Sequence, residues 1–105
     1  MPDLSAEDQK LVTLARATMA RTGAPEGAAV RDLDGRTYAA ASVSLSSLRL
    51  SALEVCVAMA ISSGSKGLEA VVRLGGDGDP DLAAVRELGG DVLVHLGDAR
   101  GQITS

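Results

Sequence analysis

Apolar residues recur along this chain at two spacings, and the spacings assign its elements. From Leu11 the apolar or small positions are Leu11, Leu14, Ala15, Thr18 and Met19, which is the three-and-four rhythm of a helix. Ser5 stands where an N-cap would, and Glu7 and Asp8 fall in the first turn, where the helix dipole favours acids. Lys10, Arg16 and Arg21 can face water, and Thr22-Gly23 followed by Pro25 ends the helix. The longest apolar run lies further on, from Leu50 to Gly64. It is far shorter than the ~20 residues needed to cross a bilayer. It is apolar on nearly every face, so it predicts a buried helix from about Leu50 to Ser62, with Gly64 as its C-terminal glycine.

Shorter apolar runs bounded by turn residues predict strands. Residues 27–31 form one, Asp32-Leu33-Asp34-Gly35 carries an Asp-Gly turn signal, and residues 36–45 resume as the second arm of a hairpin. Residues 68–74 predict another strand, followed by the loop Gly75-Gly76-Asp77-Gly78. Asp79 suits an N-cap and Pro80 a first helical position, and Leu82, Val85 and Leu88 give the helix that follows one apolar stripe up to Gly89-Gly90. Residues 91–96 predict a strand, 97–101 a turn and 102–104 a last short strand. The order is helix, hairpin, helix, strand, helix, strand. The final three make a βαβ unit with a right-handed parallel crossover. The simplest packing is an α/β fold, a three-layer α/β/α sandwich with a mixed sheet, formed as a single domain over residues 1–105 without repeats or a linker.

Composition qualifies this picture. The chain has 105 residues, 46% hydrophobic and 23% charged, with no Phe or Trp and one Tyr. Its core must therefore be built from small aliphatic side chains, in a domain already short of buried area. Pairing with a second copy relieves that shortage, so a homo-oligomer, a dimer or tetramer, is expected. The net charge of −4, the scattered basic residues and the lack of aromatics for stacking argue against direct nucleic-acid binding. Cys56, the one cysteine, cannot form an internal disulfide, and Val55 and Val57 flank it as in a core. With an acidic, polar start that resembles neither signal nor transit peptide, this predicts a cytoplasmic protein with no membrane segment.

Three local patterns carry little chemistry. The Gly75–Gly78 loop lacks the Lys and Ser/Thr of a P-loop. Asp77, Asp79 and Asp81 alternate like a calcium loop, but the position of its closing glutamate falls on Leu88. Ser42, Ser44, Ser46 and Ser47 have no nearby His and no nucleophile elbow.

Particular residues in this order resemble the cytidine deaminase family over nearly the whole chain. Gly27-Ala-Ala-Val-Arg31, Asp34-Gly35-Arg36 and Tyr38 are similar to that family's first hairpin. Ala60-Ile-Ser-Ser-Gly64 resembles the end of its first core helix. Pro80-Asp-Leu-Ala-Ala-Val-Arg-Glu-Leu-Gly89 and the strand after it resemble its second zinc-binding helix and following strand. In such enzymes a Cys or His one residue before an Ala-Glu pair, together with Pro-Cys-x-x-Cys, holds zinc; the glutamate shuttles protons and the zinc-bound water attacks the base.

The resemblance then implies what this chain lacks. The second motif falls on Pro80 to Ala84, so its ligand positions are Asp81 and Ala84. The first ligand position falls on Leu53 when counted forward from Tyr38, on Ser51 when counted back from Gly64, and on Ala52 if Glu54 is the catalytic glutamate. Zinc catalysis needs three protein ligands and an open position, and neither Ser51, Ala52, Leu53 nor Ala84 is a usual ligand. The stretch that holds the ribose in the family is here Ser42-Val-Ser44-Leu45, and the loop before the first strand, Thr22 to Glu26, has no ring to stack on a base. The expected protein is thus a non-catalytic cytidine deaminase-like protein without a cofactor. It would be an oligomeric interaction or regulatory module, with room for a partner protein that the sequence does not name. Two alternatives stand beside it. One is a binder of a nucleoside-like small molecule in the remnant pocket. The other is a divergent, zinc-dependent cytidine deaminase whose ligands Asp81, Glu54 and His95 are brought together by the fold.

Overall fold

The computed structural model describes residues 4–105. The N-terminal helix α1 runs Ala6–Thr22. The Ser5 hydroxyl accepts the Asp8 N–H at 3.1 Å, and Gly23 closes the helix in the left-handed conformation (φ 71°). Leu11, Val12, Ala15, Thr18 and Met19 are its buried positions; Val12 takes the place expected of Leu14, which is 37% exposed. Strand β1 (Glu26–Asp32) pairs antiparallel with β2 (Thr37–Ala41) and, on its other edge, with β5 (Leu68–Gly75). Strand β6 (Val94–Gly97) lies parallel to β5, giving a mixed sheet in the order β2-β1-β5-β6.

Alternation along these strands divides the core in two. Ala29, Ala70, Val72 and Leu74 face α1 with Leu11, Val12, Ala15 and Met19. Ala28, Val30, Ala40 and Val71 face helix α2 (Ala52–Ser62), and Val85 of helix α3 (Ala83–Gly89) joins them. One helix covers one face and two cover the other, as expected of the three-layer sandwich. Tyr38, the one Phe, Tyr or Trp ring of the chain, packs half-buried at the edge of the α2 layer. Ala and Gly on β1 let the helices come close, and a Cβ at Gly27 would collide with Met19 and the Ala15 carbonyl.

Three boundaries differ from expectation. The expected strand 36–45 stops at Ala41, because β1 begins at Glu26 and offers nothing to pair with beyond it; the Ser42 N–H takes the Glu26 carbonyl at 3.1 Å and the chain turns away. It then forms a separate two-stranded ribbon, β3 (Val43–Ser44) and β4 (Arg49–Leu50). Helix α3 starts at Ala83, not at Asp79-Pro80. Asp81 accepts the Ala83 N–H at 2.9 Å from outside the helix, while the segment before it is drawn toward Arg73, whose Nη1 donates to the Gly78 carbonyl at 3.2 Å. Strand β6 begins at Val94, since Arg86 ties down the chain before it by donating to the Gly90 and Val92 carbonyls. The expected strand at 102–104 reduces to a bridge between Gly97 and Ile103. Among the described residues no helix is long and apolar enough to cross a membrane.

Candidate functional site

The N-terminus of α2 is where the resemblance would anchor a metal, and local sequence explains its structure. Ser51 is the N-cap: its hydroxyl accepts the Glu54 N–H at 3.1 Å, and the Glu54 carboxylate accepts the Ser51 N–H at 2.8 Å. This reciprocal capping box employs both polar side chains of the expected motif within the helix itself. The two residues between them point inward. Ala52 is fully buried and Leu53 is 2% exposed, both in the core cluster with Cys56.

A third polar group closes this helix end. Glu26 at the start of β1 accepts the Ala52 N–H through Oε1 at 2.8 Å and the Arg73 Nε–H through Oε2 at 2.9 Å. Both side chains are nearly buried, at 12% and 7% exposure. The carboxylate sits at the positive end of the helix dipole, and the guanidinium neutralises it. Arg73 also determines the loop after β5: a Cβ at Gly76 (φ 77°) would collide with its guanidinium, so this position requires glycine. Neither Glu26 nor Arg73 was expected from the sequence. The available signal was a charge inside the apolar run Ala70-Val-Val-Arg-Leu74, because a charge on a central strand must find a partner.

The second motif is equally engaged. Asp81 caps the backbone ahead of α3, and Ala84 packs its methyl against the cluster that holds Leu53 and Cys56. Cys56 donates to the Tyr38 carbonyl at 3.6 Å, and burial pushes its thiol pKa up to about 12. His95 lies on the opposite face of the sheet, 3.1 Å from Asp8 of α1. Asp8 also accepts from Arg31 at 2.9 Å. Burial works against ionisation of Asp8, but the hydrogen bonds from Arg31 and His95 outweigh it and hold its carboxyl below the usual range. The sheet therefore separates His95 from Glu54 and Asp81, and the fold does not bring that ligand set together. Among the described residues no three His, Cys, Asp or Glu side chains converge as a metal site. The side chains at the expected positions, two caps, two methyls and a leucine, do not fit a tetrahedral zinc centre.

A cleft of about 810 Å³ opens beside the Glu26–Arg73 pair, between the 75–79 loop and the end of β6. Of the residues expected at a site, Ser42 lines it; Ser44, Ser51, Glu54, Asp81 and Ala84 do not. Its walls mix Glu26, Arg73, Asp77, Asp79 and Asp98 with apolar Pro25 and Leu96.

Comparison with known proteins places this arrangement. No curated protein matches the chain in sequence. Among solved structures, the cytidine deaminase of Burkholderia pseudomallei superposes with a TM-score of 0.77 at 21% identity, covering 96% of this chain and 91% of that one. A mutant of cytidine deaminase from Mycobacterium tuberculosis gives 0.69 at 25% identity, with 90% and 85% covered. The cytidine deaminase of Mycobacterium leprae gives 0.70 at 20% identity, with 95% and 93% covered. The likeness runs through the whole sandwich, and the family model described as cytidine deaminase-like matches residues 4–101. The chain belongs to the cytidine deaminase-like family.

Proposed function

We propose that this chain is a non-catalytic cytidine deaminase-like protein, an oligomeric interaction or regulatory module that keeps the scaffold without the zinc chemistry. The observation that carries this reading is the state of the α2 N-terminus. Its first free N–H groups are taken by Ser51 and Glu26, Glu54 is held as a cap, and Arg73 neutralises Glu26 from the other side. A proton shuttle must reach substrate, and a nucleophilic water needs an activating group; here Glu54 serves the helix, and among the described residues no donor set stands beside it. The test is incubation of purified protein with cytidine or deoxycytidine, following loss of the amino group by absorbance. The expected result is no turnover. Turnover abolished by Glu54→Gln overturns the proposal and favours a divergent deaminase.

The cleft beside Glu26 and Arg73 favours a second reading, a binder of nucleoside-like small molecules. Ser42 presents a hydroxyl to it, and its mixed polar and apolar walls suit a ring with a hydrogen-bonding edge. A ligand that binds only the folded chain must raise its melting temperature. A concentration-dependent rise with cytidine supports this second reading, and an unchanged melting curve removes it.

A further inference from the structure

Charge is unevenly placed along this chain. Residues 77–98 hold six carboxylates, Asp77, Asp79, Asp81, Glu87, Asp91 and Asp98, against one Lys or Arg, Arg86. That segment carries −5 where the whole chain carries −4, so the remaining residues together carry +1. Among the described residues none of the six acids forms a salt bridge. Arg86 is tied back to the turn after α3, its Nη1 donating to the Gly90 and Val92 carbonyls at 2.9 and 2.8 Å. The same segment builds a groove of about 400 Å³ between β6 and the chain leading into α3. Its apolar lining includes Leu82, Val92, Val94 and Leu96, all half-buried, and the exposed Asp79 and Asp91 stand beside them. Leu82, Val92 and Val94 also pack on the core on the α2 side, so the apolar lining is held in place.

The strand edge along this groove is only partly covered. β6 is the last strand in the order β2-β1-β5-β6. Residues 103–105 return to it near Leu96: the Leu96 N–H donates to the Ser105 carbonyl at 3.0 Å, and the Leu96 carbonyl accepts from the Thr104 N–H at 2.8 Å. Backbone groups along a strand alternate between its two edges, so Val94 presents its N–H and carbonyl on the same outer edge as Leu96. Among the described residues nothing pairs with Val94 on that edge.

We propose that this groove and edge take an extended segment of a partner protein in which basic and apolar residues alternate. The inference rests on the reading of the chain as an interaction module and names the chemistry of its partner. An extended segment pairs with a strand edge through its backbone, and every second side chain then turns to one face. Leu82, Val92 and Leu96 suit apolar side chains on that face. Lysine or arginine at the alternate positions meets Asp79 and Asp91, and the −5 segment draws such a partner in over a longer range. A second copy of this chain does not fit as the occupant. It brings the same acids to the contact, and no two of its Lys or Arg residues stand two positions apart, as the alternation requires.

Fluorescence anisotropy on the full chain tests this with three labelled, end-blocked octapeptides. One alternates lysine with valine, one lysine with serine and one glutamate with valine. The lysine–valine peptide should bind saturably, and each of the others should bind at least about tenfold more weakly. Added salt should weaken binding without abolishing it, since apolar and backbone contacts are not screened. Asp79→Lys/Asp91→Lys, at exposed positions, should weaken it about tenfold with an unchanged circular dichroism spectrum. Absent binding, equal binding of the two lysine peptides, or binding that survives Asp79→Lys/Asp91→Lys each overturns the proposal. So does a chain that ignores the peptides while calcium or magnesium chloride raises its melting temperature, because the acids then serve a cation. Deaminase activity is read separately. Turnover of cytidine overturns the non-catalytic reading and leaves peptide binding to stand, whereas a chain that neither deaminates nor binds peptide loses this inference alone.

Discussion

Glu26 accepts the Ala52 N–H through one carboxylate oxygen and the Arg73 Nε–H through the other, joining the first strand, the fifth strand and the head of α2 at a single side chain. Removing one member of a nearly buried pair leaves the other charge uncompensated, which costs about 3–5 kcal/mol. Glu26→Ala or Arg73→Ala should therefore each destabilise the chain by roughly 3 kcal/mol in urea unfolding. The double variant Glu26→Gln/Arg73→Met removes both charges and keeps an acceptor for Ala52. It should cost far less than the sum of the two alanine variants. Additive losses would show that the pair does not act as a unit.

The capping box at Ser51 and Glu54 predicts a different pattern. Ser51→Ala should cost about 1 kcal/mol through the lost cap. Glu54→Gln should cost less, because a glutamine carbonyl can still accept the Ser51 N–H. Chemical denaturation of the two variants reads this order, and a reversed order would argue that Glu54 has a role beyond capping.

Two carboxylates, the buried Asp32 and the partly buried Asp8, make the fold sensitive to acid. Asp32 is held below the usual range first by the Ser65 hydroxyl at 2.6 Å, against the effect of burial, and further by the N–H groups of Arg36 and Asp34. Asp8 is held low by Arg31 and His95 despite its burial. A depressed folded pKa contributes stability that is fully present above the unfolded value of about 3.9 and is lost as pH falls through the folded value. Melting temperature should thus be flat with respect to these two groups at neutral pH and decline below about pH 4. Asp32→Asn should lower the neutral plateau and flatten the decline. A variant that keeps the full acid decline would remove Asp32 from this account.

Cys56 supplies a chemical readout. With its thiol pushed up to about 12 and its side chain fully buried, it should resist iodoacetamide at pH 8 in the native state and react at once in denaturant, since the thiolate is the nucleophile. Rapid native labelling would mean that α2 opens away from β2.

The sequence carried the layers better than the boundaries. Helical spacing at Leu11 to Met19 and the apolar run from Leu50 placed α1 and α2, and the Asp-Gly signal at 34–35 placed the first turn. Asp79-Pro80 imitated a helix start, because local capping chemistry does not reveal that Arg73 pulls on the Gly78 carbonyl. The expected strand 36–45 divided because its length is limited by β1, a partner distant in sequence. The candidate site was legible as a list of missing ligands. That Ser51 and Glu54 cap each other could be read from their i, i+3 spacing. That Glu26 and Arg73 would meet could not, since 47 residues separate them and only the antiparallel pairing of β1 with β5 brings them together.

Elemental analysis tests the central claim most directly. The chain, produced in zinc-supplemented medium and freed of loosely held ions by gel filtration, should carry far less than one zinc per chain. It should also have the same melting curve before and after treatment with a chelator. One firmly held zinc per chain, lost together with thermal stability on chelation, would contradict the account.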